Sequence, residues 1–161
     1  MSHRLIPLSG TKEEIYKQLL PQLRRLVEDE DNHIANLANI TAALKSALGF
    51  FWVGFYLVDG AWLVLGPFQG ELACTRIAYG KGVCGKAWEL GSALVVDDVD
   101  KFEGHIACSA KSRSEIVVPV IKNDKVIAVI DVDSEHLATF DDVDLRYLTE
   151  IARLVAGLPG L

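Results

Sequence analysis

The residues of this sequence best suited to chemistry are its three cysteines, Cys74, Cys84 and Cys108. Cys108 lies in the polar stretch HIACSAKSRSEIVVP, residues 105–119, which leads directly into an apolar segment. A thiolate is a strong nucleophile, and two thiols that meet can form a reversible disulfide. We therefore predict thiol redox chemistry centred on Cys108. The alternative is three unreactive core thiols, because free cysteine is among the most buried residue types.

Carboxylates follow Cys108 on two predicted strands. Glu115 begins the segment EIVVPVI, and Asp131 and Asp133 end the segment KVIAVIDVD. Residues two apart on a strand share a face. When carboxylates lie close together, their mutual repulsion raises the pKa of one of them. Such a cluster would keep one proton for acid catalysis and would offer a negatively charged site to a cationic group. The alternative is that these acids are solvated at strand ends.

The turn between these two strands decides whether the carboxylates meet. A tight two-residue turn would place Glu115 opposite Val132, whose side chain points to the other face of the sheet. A three-residue turn over residues 122–124 would instead place Glu115 opposite Asp131. We predict the longer turn, or a bulge near Pro119.

Two aromatic residues lie on one face of an earlier predicted strand, FFWVGFYLV. Strand alternation places Trp52, Gly54 and Tyr56 together on that face. Gly54 lacks a side chain, so we predict that it leaves room for a ligand to approach. Aromatic residues with a polar tip suit the wall of a half-wet pocket, and the alternative for Trp52 is packing in the core.

Positive charge near the cysteines would favour their thiolates. His105, Lys111 and Arg113 are close to Cys108 in the sequence, and the alternative is that they form a solvated basic loop. Cys84 begins a short predicted helix, whose dipole would favour its thiolate.

The remaining pattern predicts an α+β domain in which helices flank a central sheet. Thr11 and Glu14 predict the cap of a first helix that Pro21 should kink or split. A second helix should end at Gly49. The predicted strands cover residues 50–58, 61–66, 75–77, 92–96, 115–121 and 125–133, with a turn at 59–60, a loop at 66–73 and a long connection at 97–114.

A final helix is predicted to start near Thr139, with Asp142 as its capping partner. We expect a central antiparallel sheet of about six strands, with the N- and C-terminal helices packed on one face.

The length and net charge of the chain, and the lengths of its apolar runs, restrict the class of protein. The chain has 161 residues and a net charge of −6, so one domain over residues 1–161 is expected and a nucleic-acid partner is not. The start, MSHRLIPLSG, does not resemble a signal peptide, and no apolar run reaches the ~18 residues of a membrane span. We predict a cytoplasmic protein.

Four motifs in order resemble those of the free methionine-(R)-sulfoxide reductases, which are small single-domain enzymes of the GAF fold. They are WVGFYLVDG, GKGVCGKAW, HIACSAKSRSEIVVP and VIDVDS, and the cysteines are separated by ten and then twenty-four positions. The resemblance extends from the first helix to the last. Ser109 departs from the family pattern, which usually has an aspartate after the third cysteine, and this changes the charge of the loop.

The resemblance implies reduction of free L-methionine-(R)-sulfoxide by a thiolate, sulfenic acid and disulfide cycle, with thioredoxin as reductant and no metal or other cofactor. Cys108 would be the nucleophile, and either Cys84 or Cys74 would resolve its sulfenic acid. The family also implies a homodimer. The substrate pocket would be formed by aromatic and acidic residues: Trp52, Tyr56, Glu115, Asp131 and Asp133.

Three other functions fit parts of the sequence. A sensory GAF domain would bind a small molecule without catalysis. A metal site could be built from Cys74, Cys84, Cys108 and His105, but the spacing matches none of the close-paired cysteine patterns of zinc. An interaction-only dimer would use the terminal helices.

Overall fold

The computed structural model describes residues 4–161, which fold around one six-stranded antiparallel sheet with strand order β3-β2-β1-β6-β5-β4. This confirms the predicted α+β architecture. None of the helices in this part of the chain has the length and apolar character needed to cross a membrane. The elements are α1 (Lys12–Val27), α2 (His33–Leu48), β1 (Trp52–Asp59), β2 (Trp62–Gln69), β3 (Arg76–Ala78), α3 (Gly82–Leu90), β4 (Leu94–Val96), a 3-10 turn (Val99–Lys101), β5 (Ser114–Lys122), β6 (Lys125–Ser134) and α4 (Asp142–Ala156).

The first two helices begin and end close to their predicted residues. The side chain of Thr11 accepts a hydrogen bond from the backbone N–H of Glu14, and Gly49 ends α2 with φ 66°. The prediction that Pro21 splits the first helix is wrong, because α1 is continuous through it. Leu19 and Leu23 are fully buried on either side of Pro21, so core packing holds the helix together where one backbone hydrogen bond is missing.

The last helix starts later than predicted. Asp141, not Thr139, caps α4 by accepting hydrogen bonds from the N–H groups of Val143 and Asp144. The Asp144 carboxylate accepts the N–H of Asp141 in return. These hydrogen bonds satisfy three N–H groups that would otherwise lack partners, which fixes the start of the helix at Asp142.

The second strand is longer than predicted. Residues 66–69 belong to β2, in which Phe68 and Gln69 pair with Gly54 and Val53 of β1, so the predicted loop at 66–73 is wrong over that range. The register shifts by one residue between Gly54 and Tyr56. This irregularity lets the strand continue through Gly66 and Pro67, because a bulge absorbs residues that fit poorly in a regular ladder.

The turn between β5 and β6 has two residues, Asn123 and Asp124, with φ of 51° and 62°. The predicted three-residue turn is therefore wrong, and the alternative of a bulge near Pro119 is confirmed: the register shifts between Val120 and Ile121.

The bulge places Glu115 opposite Asp133, where a three-residue turn would have placed it opposite Asp131. Asp131 pairs with Val117 on the same face of the sheet. The three carboxylates are therefore neighbours, as the sequence predicted, although the pairing partner is different.

The two faces of the sheet have different roles. Val53, Phe55 and Ile130 face the large core formed with α1, α2 and α4, which confirms that the terminal helices pack on one face. The opposite face carries Trp52 and Tyr56 in a second core, together with residues of α3. Because side chains alternate along a strand, one short segment serves both cores, and the second face positions the candidate site.

Candidate active site

A cavity on the second face of the sheet brings together seven of the eight predicted site residues. Strands β1, β5 and β6 form its base, α3 covers one side, and the loops that carry Cys74 and Cys108 border its mouth. Cys74 joins the site through its bond to Cys108. The predicted residues that line the cavity are Trp52, Tyr56, Cys84, Cys108, Glu115, Asp131 and Asp133.

Cys74 and Cys108 form a disulfide across 34 positions of sequence, with their Cα atoms 5.4 Å apart. Both residues are half-buried, so the bond lies at the boundary between cavity and solvent. Cys84 keeps a free thiol and is only 3% exposed. Of the two candidate partners that the sequence left open, the structure joins Cys74 to Cys108.

The carboxyl groups lie in an environment that disfavours their charge. Glu115 and Asp131 are 6% and 5% exposed. Burial raises the pKa of Glu115 well above its ordinary value, and the charges of Asp131 and Asp133 raise it further. Burial and the charge of Asp131 likewise raise the pKa of Asp133. The cluster therefore favours a carboxyl that keeps its proton near neutral pH.

The environment of Cys84 contradicts the predicted effect of the helix dipole. Burial raises the pKa of the Cys84 thiol well above its ordinary value, and the charges of Asp131 and Glu115 add to the shift. The dipole of a nine-residue helix is weaker than these two effects. Cys84 is therefore a neutral thiol in contact with the acidic cluster.

Two sets of side chains contain residue types that bind metals. The set Cys74, Cys84, Cys108 and His105 is not available in this state, because two of its thiols form the disulfide. A second set, Cys84, Glu115 and Asp131, offers three ligand atoms within 4.8 Å of one another. Zinc takes such ligands as thiolate and carboxylates, so binding there would displace the proton of the Cys84 thiol. We assign no metal to it.

Trp52 is held firmly in the wall of the cavity. Its indole Nε1–H donates to the backbone carbonyl of Glu71 at 3.0 Å, and its ring stacks on Phe68 with centroids 5.3 Å apart. A Cβ atom added at Gly54 would lie 2.5 Å from both the Trp52 ring and Phe68. The space at Gly54 is therefore filled by these side chains, and the prediction that a ligand approaches there is wrong.

Gly70 is a site residue that sequence reasoning missed. Its φ is +143°, and a Cβ atom there would lie 2.5 Å from Cδ1 of Trp52. Gly54 and Gly70 together provide the space into which the indole fits. A glycine within the predicted loop that leads to Cys74 was the available signal.

Tyr56 connects the wall of the cavity to Cys74. Its hydroxyl donates to the backbone carbonyl of Cys74 at 2.8 Å. Burial and the nearby carboxylates raise the pKa of the Tyr56 phenol, so the hydroxyl remains a donor at any physiological pH. Through Glu71 and Cys74, the two aromatic residues fix both ends of the loop that carries the cysteine.

Two of the three predicted cations near Cys108 have another partner or a lowered pKa. Lys111 Nζ forms an ion pair with Glu71 Oε1 at 2.7 Å. Burial lowers the pKa of His105, which favours its neutral form. The exposed Arg113 remains a candidate for favouring the Cys108 thiolate.

Two buried polar atoms that line the cavity make no hydrogen bond within residues 4–161. They are Asp131 Oδ1 and Ser112 Oγ. An unpaired buried polar atom is costly unless a ligand or water satisfies it. Asp131 can accept from an ammonium group, and Ser112, which the sequence did not single out, can donate to an oxygen.

Comparison with known proteins gives consistent results. The family model of the GAF domain matches residues 30–158. The chain is 58% identical to GAF domain-containing protein A of Dictyostelium discoideum over 147 residues, which are 91% of this chain and 93% of that protein. It is 44% identical to the free methionine-R-sulfoxide reductase of Saccharomyces cerevisiae, covering 89% of this chain and 85% of that protein.

A solved structure is also closely similar. It is the free methionine-R-sulfoxide reductase of Neisseria meningitidis in complex with its substrate, with a TM-score of 0.94 and 54% sequence identity. The match covers 96% of this chain and 94% of the other.

Proposed function

The chain belongs to the GAF-domain free methionine-R-sulfoxide reductases, and on that basis we propose that it reduces free L-methionine-(R)-sulfoxide with Cys108 as nucleophile and Cys74 as resolving cysteine. The observation that carries the proposal is the disulfide between these two residues at the mouth of a cavity lined by buried acids. We propose that residues 1–161 form one GAF domain.

The first step transfers oxygen from the substrate to the enzyme. The Cys108 thiolate attacks the sulfoxide sulfur, and a protonated carboxyl gives its proton to the sulfoxide oxygen. The bond between the two sulfurs and the S–O bond of the substrate then break as the hydroxyl group passes to the Cys108 sulfur, which becomes a sulfenic acid, and methionine is released. The sulfoxide is reduced by two electrons, and the Cys108 sulfur is oxidised by two.

The second step forms the disulfide. The Cys74 thiolate attacks the sulfur of the Cys108 sulfenic acid, and hydroxide leaves and takes up a proton as water. Tyr56 supports this assignment, because its hydroxyl binds the backbone of Cys74 beside the cavity. The buried, neutral thiol of Cys84 is less suited to attack, because the thiolate is the nucleophile.

The carboxyl groups of the cavity have two proposed roles, proton donation and binding of the substrate ammonium group. We assign proton donation to Glu115, supported by Asp133 opposite it on β6, because its pKa is raised well above the ordinary range. Asp131 keeps an oxygen without a partner within the described residues, which suits the substrate ammonium. A peptide-bound methionine has an amide at that position, so this contact would select the free amino acid.

Trp52 and Tyr56 would complete the pocket. Trp52 is almost fully buried and lines the cavity, where it would offer an apolar surface to the methyl group on the substrate sulfur. The partial positive charge on a sulfoxide sulfur favours an aromatic face.

A single-turnover experiment tests this assignment. Reduced protein is mixed with free methionine-(R)-sulfoxide without reductant, and cysteine peptides are mapped by mass spectrometry. We expect one methionine per chain and a Cys74–Cys108 peptide. Cys108→Ser should form neither, Cys74→Ser should release methionine and leave a sulfenic acid trappable by dimedone, and Cys84→Ser should match the unaltered chain. A Cys84–Cys108 peptide would contradict the assignment of Cys74.

The alternative of a sensory GAF domain without catalysis makes an opposite prediction. Such a domain would bind methionine sulfoxide and release no methionine, with or without Cys108.

The reductant, compartment and assembly complete the proposal. We propose a thioredoxin as the dithiol that reduces the disulfide, because its low reduction potential makes the transfer favourable. The cytoplasm is the compartment that supplies it in reduced form. We also propose a homodimer, which light scattering on the purified protein would test.

A further inference from the structure

Two exposed apolar side chains flank the disulfide. Leu72 is 90% exposed and lies two residues before Cys74. Ile106 is 39% exposed and lies two residues before Cys108. Each loop that carries a cysteine of the disulfide therefore also carries an exposed apolar residue two positions before that cysteine. Both apolar residues line the cavity at its mouth.

A protein reductant must cover this surface. Thiol–disulfide exchange requires a thiolate to reach one sulfur of the disulfide directly. Even a small redox interface occupies several hundred Å² on each partner, so the residues beside the sulfurs lie within its footprint. A side chain that is 90% exposed gains more from being covered than one already packed in the protein.

We propose that Leu72 and Ile106 form an apolar docking surface for a protein dithiol reductant that recycles the Cys74–Cys108 disulfide. The inference rests on the proposed function, because it assumes that this disulfide is formed during turnover. The partner is defined by its chemistry: a thioredoxin-type protein with two cysteines near an apolar surface.

The exchange on this surface proceeds in two balanced steps. A reductant thiolate attacks one sulfur of the disulfide, a mixed disulfide forms, and the other sulfur leaves as a thiolate that takes up a proton. The second reductant thiol then loses its proton and attacks the mixed disulfide. The reductant is oxidised to its own disulfide, and Cys74 and Cys108 are both reduced.

A competing role for the same residues is a lid over the substrate, because both border the cavity mouth. The two roles differ in which kinetic constant they affect. Docking acts on the KM for the protein reductant, whereas a lid acts on the KM for methionine sulfoxide. A small dithiol such as dithiothreitol needs no docking surface, so turnover driven by it reports the chemistry alone.

The test compares Leu72→Ser with Leu137→Ser, a control at another exposed leucine that is 50% exposed and lies in the connection between β6 and α4. Turnover of methionine sulfoxide is measured with thioredoxin and with dithiothreitol. Leu72→Ser should raise the KM for thioredoxin by about five- to tenfold, the usual effect of removing one interface anchor. Its dithiothreitol-driven turnover and its KM for methionine sulfoxide should match those of Leu137→Ser.

Ile106→Ser should also raise the KM for thioredoxin, and the double variant should raise it further. An unchanged KM for thioredoxin in Leu72→Ser would overturn the proposal, and so would a rise confined to the KM for methionine sulfoxide. Turnover of the unaltered chain with dithiothreitol tests the proposed function separately, so failure of the docking surface and failure of the reductase assignment are distinguishable.

Discussion

The side chain of Glu115 is buried against two other carboxyls on a strand face that also holds the substrate cavity. Replacing it by glutamine keeps its size and removes its transferable proton. We predict that Glu115→Gln lowers kcat by about 10²–10⁴-fold, the usual contribution of a general acid. Steady-state kinetics with dithiothreitol as reductant measure this, and Glu103→Gln is the control at an exposed glutamate. A loss below about threefold in Glu115→Gln would contradict its role as the acid.

The raised pKa values in the cluster also predict how stability depends on pH. The pKa of Glu115 is higher in the folded chain than its ordinary value of 4.5. Above pH 4.5 the unfolded chain releases this proton and the folded chain keeps it, so stability falls as pH rises until the folded pKa is passed. The slope is at most about 1.4 kcal/mol per pH unit for each such group.

We therefore predict that the melting temperature falls from pH 5 toward pH 8, and that Glu115→Gln makes this fall smaller. Thermal unfolding of the oxidised protein across that range measures it. Glu103→Gln should leave the slope unchanged. A melting temperature of the unaltered chain that rises over this range would show that the cluster is ionised in the folded state.

At the scale of elements, the loop over residues 70–74 depends on two hydrogen bonds from β1. Tyr56→Phe removes the bond from the phenol to the Cys74 carbonyl and leaves that carbonyl without its partner. The hydrogen bond stabilises the position of Cys74 by about 1 kcal/mol, so its loss should slow disulfide formation roughly fivefold. Release of methionine should change less, since that step uses Cys108.

Rapid-quench single turnover separates the two rates. Tyr79→Phe is the matched control, because Tyr79 is 54% exposed, follows the end of β3 and packs edge-on against Trp88, outside the lining of the cavity. An equal effect of Tyr56→Phe on both steps would contradict a role of Tyr56 that is specific to the positioning of Cys74.

Gly70 provides a second test of this loop. Gly70→Ala would place a Cβ atom 2.5 Å from the Trp52 ring in a backbone conformation that favours glycine. We predict a loss of stability of about 1–3 kcal/mol and a raised KM for methionine sulfoxide, because the indole must move. Gly104→Ala, at φ +79° with open space around the added atom, controls for backbone strain. Equal losses in both variants would contradict a specific role for the indole.

The strands of the site show which features could be predicted from the sequence and which could not. Hydrophobic alternation was sufficient to predict that Trp52 and Tyr56 share one face of their strand, and the same alternation relates Asp131 to Asp133, because side chains alternate along a strand. The pairing of Glu115 depended on a bulge, which arises from tertiary fit and has no fixed residue signature.

Contacts between residues that are far apart in the sequence could not be predicted from local patterns either. The fit of the Trp52 indole against Gly70 and the bond from Tyr56 to Cys74 join residues that are far apart in sequence. The thiol of Cys84 was predicted from its helix alone, and its surroundings on the neighbouring strands reversed the result. Local patterns predict elements and faces, whereas pKa values and loop anchors depend on contacts between elements.

At the scale of the whole molecule, the two redox states should differ in stability. The disulfide joins residues 34 positions apart, and closing a loop of that length restricts the unfolded chain by roughly 3–4 kcal/mol. The large core between the sheet and α1, α2 and α4 lies on the other face of the sheet. The reduced chain should therefore stay folded with a lower melting temperature, by about 6–16 °C for a domain of this size.

Differential scanning calorimetry of the oxidised and reduced protein measures this difference. Cys84→Ser should preserve it, because Cys84 takes no part in the disulfide. Cys108→Ser should abolish it and should melt near the reduced form under both conditions. Equal melting temperatures in the two redox states of the unaltered chain would mean that native-state strain offsets the loop restriction. A difference of the predicted sign would show that each catalytic cycle passes between a more and a less constrained fold, with the same core maintained in both.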